Sequence, residues 1–175
     1  MAEAAIYTAL AAVLLGAVYT DVRWGKIFNW ITAPGFLIGL VLNTGFFGLQ
    51  GFVLGIEGAA LALGVFLVLS IFGRMIGAGD AKLLMAVGTL VGPYLLGWSM
   101  VYGAIIGGVL ALLLALSRRR LRQEVVGMGN SILSRAFAGS RMDFQSSTSL
   151  RLPYALPLGL GVLASVLLNG GAMIP

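Results

Sequence analysis

The sequence contains no cysteine and no histidine among its 175 residues. Without cysteine, neither a disulfide bond nor a thiolate metal site can form. Without histidine, the chain lacks the usual zinc ligand and the usual general base near neutral pH. Any catalysis by this chain therefore depends on carboxylate, hydroxyl, lysine, arginine or tyrosine side chains, and neither a metal nor another cofactor is expected.

Charged residues are also scarce, at 10% of the chain, whereas 59% of the residues are hydrophobic. The mean hydropathy of +1.02 is far above that of a soluble domain. The 26 glycines suit tightly packed membrane helices, because small residues let neighbouring backbones approach closely. The composition therefore predicts an all-α, polytopic membrane protein.

The apolar segments predict about six transmembrane helices, since about 20 helical residues cross the hydrocarbon core of a bilayer. The first has no lysine or arginine before it, which favours a retained span over a secretory signal. The second begins at Asn29, a plausible N-cap, and the fourth is short because Gly92-Pro93 follows it. The predicted spans are 4–20, 29–47, 52–72, 80–92, 94–116 and 152–168.

Positive charge is confined to three of the predicted connections. All eleven lysines and arginines lie in or beside segments 21–28, 73–80 and 117–151. Six spans place these three segments on one side, and the positive-inside rule makes that side cytoplasmic. We therefore expect a single transmembrane domain over residues 1–175, with both termini on the non-cytoplasmic side and a basic cytoplasmic loop at 117–151. This topology accounts for the charge without a nucleic-acid partner.

Two acids lie on this predicted cytoplasmic side at similar membrane depth. Asp21 follows the first span, and Asp80 begins the fourth. Gly77 and Gly79 precede Asp80, and glycine lets the backbone turn sharply and a substrate approach closely. Two neighbouring carboxylates tend to share one proton, so that one can activate water while the other donates to a carbonyl oxygen. We therefore hypothesise that Asp21 and Asp80 together catalyse peptide hydrolysis without a metal.

Structural and functional alternatives remain open at this point. An aspartate that opens a helix after a glycine is typical of an N-cap, and Asp21 could simply pair with Arg23 or Lys26. The protein could also be a small ion-coupled membrane transporter, although such sites usually lie near the bilayer midplane between repeated halves. A third possibility is a non-catalytic subunit of a pilus or secretion assembly. The shared side and depth of the two acids favour a peptidase.

Two motifs carry a resemblance to a known family. Segment 76–88, IGAGDAKLLMAVG, closely resembles the second active-site signature of type IV prepilin peptidases, which are Gly-x-Gly-Asp intramembrane aspartyl proteases. Segment 21–29, DVRWGKIFN, is similar to the first signature, with Phe28 in place of the usual proline. Pro153 and Pro157, before a glycine-rich last span, also resemble the family's C-terminal segment.

The resemblance implies roles for particular residues. Asp21 and Asp80 match the two catalytic aspartates, and Gly77 and Gly79 match the glycines of the active-site loop. Four polar residues in the same motifs are possible supporting groups: Arg23, Lys26, Asn29 and Lys82.

The resemblance also implies a substrate and a location. The substrate would be a prepilin or pseudopilin, cut between its short basic leader and its apolar helix at the cytoplasmic face of the bacterial inner membrane. The short first connection and the absence of cysteine imply that the methyltransferase module of bifunctional members is missing. The chain thus resembles the minimal, peptidase-only TadV/CpaA type that serves Flp or tight-adherence pili. Membrane lipids are the other expected partner.

Overall fold

The computed structural model describes residues 1–71, 77–117 and 155–169, and every regular element in these ranges is a helix. The all-α prediction is confirmed for this part of the chain. The loop predicted at 117–151 lies outside it, except that Ser117 is the last residue of a helix. Of the described residues, 1–71, 77–107 and 155–169 belong to one compact unit, and 108–117 belong to a second. The helices are α1 (Ala2–Trp24), α2 (Asn29–Ile71), α3 (Ala78–Ser117) and α4 (Ala155–Leu168).

Two of these helices are interrupted by a glycine with a non-helical backbone. Gly48 in α2 has φ 62° and ψ −142°, and Gly92 in α3 has φ 73° and ψ 176°. A positive φ strains any residue with a Cβ atom, so these positions favour glycine. Both fall where the sequence predicts a break between spans. Helix α2 therefore consists of segments 29–47 and 49–71, and α3 of segments 78–91 and 93–117.

The break at Gly48 reverses the direction of the chain. The side chain of Leu40 lies against Gly55, about 3.1 Å from the position that a Cβ atom there would occupy. A straight helix would separate these two residues by about 22 Å. Closer to the break, Gly51 approaches the carbonyl group of Asn43 so closely that a Cβ atom at Gly51 would overlap it. The two segments of α2 therefore form a helical hairpin.

The break in α3 is stabilised from the hairpin by Asn43, whose side chain is buried. Pro93 has no N–H group, so it cannot pair with the carbonyl of Thr89, four residues before it. The Asn43 amide nitrogen donates to that carbonyl at 2.7 Å and to the carbonyl of Leu90 at 3.2 Å. Because an unpaired carbonyl in an apolar interior is costly, Asn43 supplies a donor where the helix cannot.

Segment 78–91 lies at the centre of the bundle. Leu83 and Val87 have no exposed surface, and Leu90 is 1% exposed. Protein therefore covers most of segment 81–90, except at Lys82, which is exposed, and at Met85, which is half-buried. Its hydrophobic cluster also contains residues of α1, α2 and α4, namely Ile6, Leu10, Val13, Ala17, Ala62, Ala155 and Val162.

Small residues allow the closest helix contacts. A Cβ atom at Gly58 would overlap the carbonyl of Gly88, and one at Gly161 would lie 2.5 Å from the amide nitrogen of Gly103. Near the second contact, the hydroxyl groups of Ser99 and Ser165 are 2.7 Å apart and fully buried. These contacts fix segment 78–91 against the α2 hairpin and α4 against α3.

The outer surface of the described part is strongly apolar. Leu15, Val41, Leu49, Ile71 and Leu167 are each about 70–80% exposed, which would be unfavourable in water. Three helices, α1, α2 and α3, are long and apolar enough to cross a membrane, and α4 is a shorter apolar helix. The chain is therefore an all-α membrane protein, with its apolar exterior facing lipid.

Candidate active site

The first acid belongs to the end of α1. The sequence predicts that the first span ends at Thr20, but α1 continues to Trp24, so Asp21 lies in its last turn. Gly25 ends the helix in the left-handed conformation, and its N–H donates to the Asp21 carbonyl at 2.8 Å. The Asp21 carboxylate accepts a hydrogen bond from the N–H of Ala155 at 3.0 Å. Asp21 therefore caps the N-terminus of α4, where a negative charge is favoured.

The second acid lies in the first turn of α3. This helix begins at Ala78, two residues before the predicted start, so Asp80 is its third residue rather than its N-cap. The Asp80 carboxylate accepts a hydrogen bond from the N–H of Gly77 at 3.1 Å. This contact is the acidic half of a capping box, in which the third helical residue reaches back to the capping residue. Local capping therefore accounts for one contact of Asp80. The capped group is the N–H of Gly77, and Gly77 rather than Asp80 is the N-cap residue.

The fold brings Asp21 and Asp80 together although they belong to different helices. Both side chains are partly buried, and Asp21 is near enough for its charge to act on the Asp80 carboxyl group. Neighbouring carboxyl groups can act as general base and general acid toward the same substrate. The arrangement therefore offers a proton acceptor and a proton donor in one place.

The glycine loop before Asp80 rests on the connection after α1. A Cβ atom at Gly79 would lie 3.3 Å from Cβ of Ile27 and 3.4 Å from its carbonyl oxygen. One at Gly77 would lie 3.1 Å from the Asp80 carboxylate. The space available at both glycines is thus too small for an ordinary side chain without displacement. This packing holds the beginning of α3 beside the end of α1 and so near Asp21.

A second contact joins the same two regions. The Lys82 ammonium group donates to the side-chain oxygen of Asn29 at 2.9 Å. Asn29 is the first residue within α2, and the carbonyl of Phe28 accepts the first helical hydrogen bonds. The prediction that Asn29 is an N-cap is therefore wrong, since its side chain bonds to Lys82 instead. Phe28, in the position where proline is usual, acts as the capping residue through its carbonyl.

The remaining predicted supporting residues lie nearby in the chain but are exposed. Arg23 is in the last turn of α1, where a positive charge complements the helix dipole, and Lys26 lies in the connection to α2. Glu57, the acid that lies within α2, is also exposed. Arg74 of the loop before Gly77 lies outside the described residues.

Three contributions to the site are not predicted from the sequence. They are the N–H of Ala155 on Asp21, the contact of Ile27 with Gly79, and the hydrogen bond from Lys82 to Asn29. The predicted topology could have indicated the contact of Ala155 with Asp21, since the predicted last span begins on the same side as Asp21. The other two depend on which helices are neighbours, which hydrophobic periodicity does not specify.

A comparison with protein families covers the segments that form this site. A sequence model described as the type IV leader peptidase family matches residues 8–116, a segment that contains both aspartates and the glycine loop. Searches of curated proteins and of solved structures give no significant match. The matched segment is more than half of the chain, and we conclude that this protein belongs to the type IV leader peptidase family.

Proposed function

We propose that the protein is an intramembrane aspartyl endopeptidase that removes the short basic leader from prepilins or pseudopilins. The observation that carries this proposal is the position of Asp21 and Asp80. They come from α1 and α3, and Asp21 is near enough for its charge to act on the Asp80 carboxyl group. Membership of a leader peptidase family supports the peptidase activity, and the paired acids support the chemistry.

In the proposed mechanism, one aspartate is ionised and the other is protonated. The ionised carboxylate takes a proton from water as the water oxygen attacks the scissile carbonyl carbon, and the protonated carboxyl donates to the carbonyl oxygen. Proton transfer to the leaving amine then completes cleavage. Because the acids act as a linked pair, the two roles are assigned to the pair rather than to Asp21 or Asp80 individually.

The substrate peptide must be extended where it is cut, because a helical peptide bond is shielded by its neighbours. Gly77 and Gly79 suit this need, since neither carries a side chain that would hold a substrate strand away from Asp80. The contact of Gly79 with Ile27 and the hydrogen bond of Lys82 to Asn29 are proposed to position the loop. Arg23 and Lys26 are proposed to act at the membrane surface, where long basic side chains extend toward water.

The proposed topology has six membrane crossings, with both termini on the non-cytoplasmic side. The non-helical glycines at 48 and 92 support it, because they divide α2 and α3 where crossings are expected to meet. Exposed aromatic residues near Asp21, namely Tyr19, Trp24, Phe28 and Trp30, support a membrane interface at that level. With the basic segments facing the cytoplasm, cleavage would occur at the cytoplasmic face of the bacterial inner membrane.

We further propose a peptidase-only enzyme of the kind that serves Flp or tight-adherence pili. Only residues 25–28 separate α1 from α2, which leaves no space for a cytoplasmic domain between Asp21 and Asn29. The absence of cysteine from the sequence also supports a leader peptidase without methyltransferase activity. The expected substrate has a short basic leader followed by an apolar helix, which inserts among the membrane helices for cleavage.

Co-expression with candidate prepilins tests the proposal. We expect Asp21→Asn and Asp80→Asn each to abolish leader removal, because either change removes a carboxyl group from the pair. Glu57→Gln is the matched control, since it neutralises an exposed acid away from the site. Cleavage should be followed by the mobility and N-terminal sequence of the pilin, and membrane insertion by fractionation. Unchanged processing by both aspartate variants would contradict the mechanism.

A further inference from the structure

A groove runs along the outer side of the bundle between the beginnings of α2 and α3. Its volume is about 480 Å³. The α2 side chains that line the groove lie on a single helical face, at intervals of three or four residues. The α3 side chains are one turn apart. Its walls are formed by Asn29, Thr32, Ala33, Phe36, Leu37, Lys82 and Met85.

The groove is polar at one end and apolar at the other. Lys82 and Asn29, joined by their 2.9 Å hydrogen bond, lie at the end nearest the candidate active site. Phe36, Leu37 and Met85 line the part farther along the two helices. Leu37 is 60% exposed, so this wall is open toward lipid. The occupant must therefore combine a polar or anionic group with an apolar chain.

The groove is distinct from the site that contains the two acids. Asp80 and Lys82 are two residues apart in α3, and a helix turns by about 200° over that interval. Their side chains consequently leave the helix on nearly opposite sides. Asp80 shares its side of α3 with Leu84 and Val87 of the core, whereas Lys82 shares its side with Met85. A molecule in the groove would not contact the carboxylates directly.

We infer that this groove binds an anionic phospholipid. The Lys82 ammonium group takes the headgroup phosphate, the Asn29 amide nitrogen offers a second donor, and an acyl chain lies along Phe36, Leu37 and Met85. Charge complementarity favours this occupant, since basic pockets between membrane helices on the positively charged side attract anionic headgroups. An apolar protein helix itself offers no counter-ion for the lysine, whereas a phospholipid satisfies both ends of the groove.

Quenching of a single tryptophan by brominated lipids tests the inference. The reporter is Phe36→Trp in a background where Trp24, Trp30 and Trp98 are replaced by phenylalanine. The protein is reconstituted into vesicles that contain phosphatidylglycerol or phosphatidylcholine, brominated in the acyl chain. We expect the indole to show an association constant about fivefold higher for the anionic lipid.

Three further variants identify the source of this preference. Lys82→Gln should abolish the difference between the two lipids, whereas Lys82→Arg should retain it because the positive charge remains. Lys26→Gln, which changes an exposed lysine outside the groove, should also retain it. Circular dichroism and size-exclusion profiles should match among the variants, so that loss of preference reports binding rather than unfolding.

Two results would overturn the inference. Equal quenching by both lipids with Lys82 intact would mean that the groove does not select an anionic headgroup. Equal losses of lipid preference in Lys82→Gln and Lys26→Gln would mean that the preference is a general property of the basic face. A photoreactive amino acid at position 37 separates lipid from substrate. If it cross-links a co-expressed prepilin in place of lipid, the groove is instead part of the substrate path.

Discussion

The carboxylate of Asp21 accepts a hydrogen bond from the backbone N–H of Ala155, 134 residues farther along the chain. This contact gives one aspartate two functions, since the side chain that we propose for catalysis also caps the first turn of α4. Substitutions at Asp21 can therefore affect stability as well as activity, and the two effects can be separated by the choice of replacement.

Asp21→Ala should lose both functions, whereas Asp21→Asn should lose only cleavage. An asparagine oxygen can still accept from Ala155, but alanine cannot, and loss of a capping acceptor costs about 1 kcal/mol. We expect Asp21→Ala to unfold at a lower temperature than Asp21→Asn in the same detergent, with neither variant processing prepilin. Glu57→Ala is the control, with unchanged stability. Equal stability of the two Asp21 variants would mean that the contact with Ala155 contributes little.

Asn43→Leu should destabilise the bundle by about 1–3 kcal/mol, because it leaves the carbonyls of Thr89 and Leu90 without their side-chain donor. Leucine is similar enough in size that the loss would report hydrogen bonding more than a cavity. Reversible unfolding in mixed micelles measures the difference in free energy. Thr44→Ala, at the exposed neighbouring position, should stay within about 0.5 kcal/mol of the wild type.

Gly58→Ala should destabilise the protein, whereas Gly64→Ala should not. A methyl group at Gly58 would overlap the carbonyl of Gly88, so the two helices must separate, at a cost of about 1–3 kcal/mol. Nothing lies within 4 Å of a Cβ atom at Gly64, where alanine should be neutral or stabilising because of its higher helix propensity. The same unfolding assay compares them. A stable Gly58→Ala protein would contradict the close approach of these helices.

Gly79→Val should reduce cleavage without preventing membrane insertion. Its side chain would meet Ile27, so the loop before Asp80 would move away from the end of α1. A displacement of about 1 Å at a catalytic group can lower the rate about 100-fold. Initial rates with purified enzyme and prepilin in detergent provide the measurement. Gly97→Val is a control in α3, since a Cβ atom at Gly97 meets nothing within 4 Å.

The absence of cysteine makes the proposed topology directly testable. Gln50→Cys lies just after the break at Gly48, and Lys26→Cys lies in the connection between α1 and α2; both positions are exposed. A membrane-impermeant maleimide applied to intact spheroplasts should label Gln50→Cys but not Lys26→Cys. After permeabilisation both should react. Labelling of Lys26→Cys alone in intact spheroplasts would reverse the proposed orientation.

Much of the fold follows from local properties of the sequence. Apolar composition predicts membrane helices, and the glycines at 48 and 92 lie where the sequence predicts breaks. The helix ends are less well predicted, because capping depends on a few hydrogen bonds rather than on hydropathy. Helix α1 continues beyond Thr20 to Trp24, and α3 begins at Ala78 before Asp80. Predictions for 118–154 fall outside the described residues.

The sequence by itself determined the chemistry that is available: two aspartates, glycines at 77 and 79, and no histidine or cysteine. Only the tertiary structure decided how Gly77–Lys82 is held, through Ile27 against Gly79 and Asn29 on Lys82. The physical reason is that hydropathy and charge decide whether each segment by itself favours lipid or water. The contacts, in contrast, require particular helices to be neighbours. The same distinction applies to Asp21, whose bond to Ala155 exists only because α4 packs beside α1.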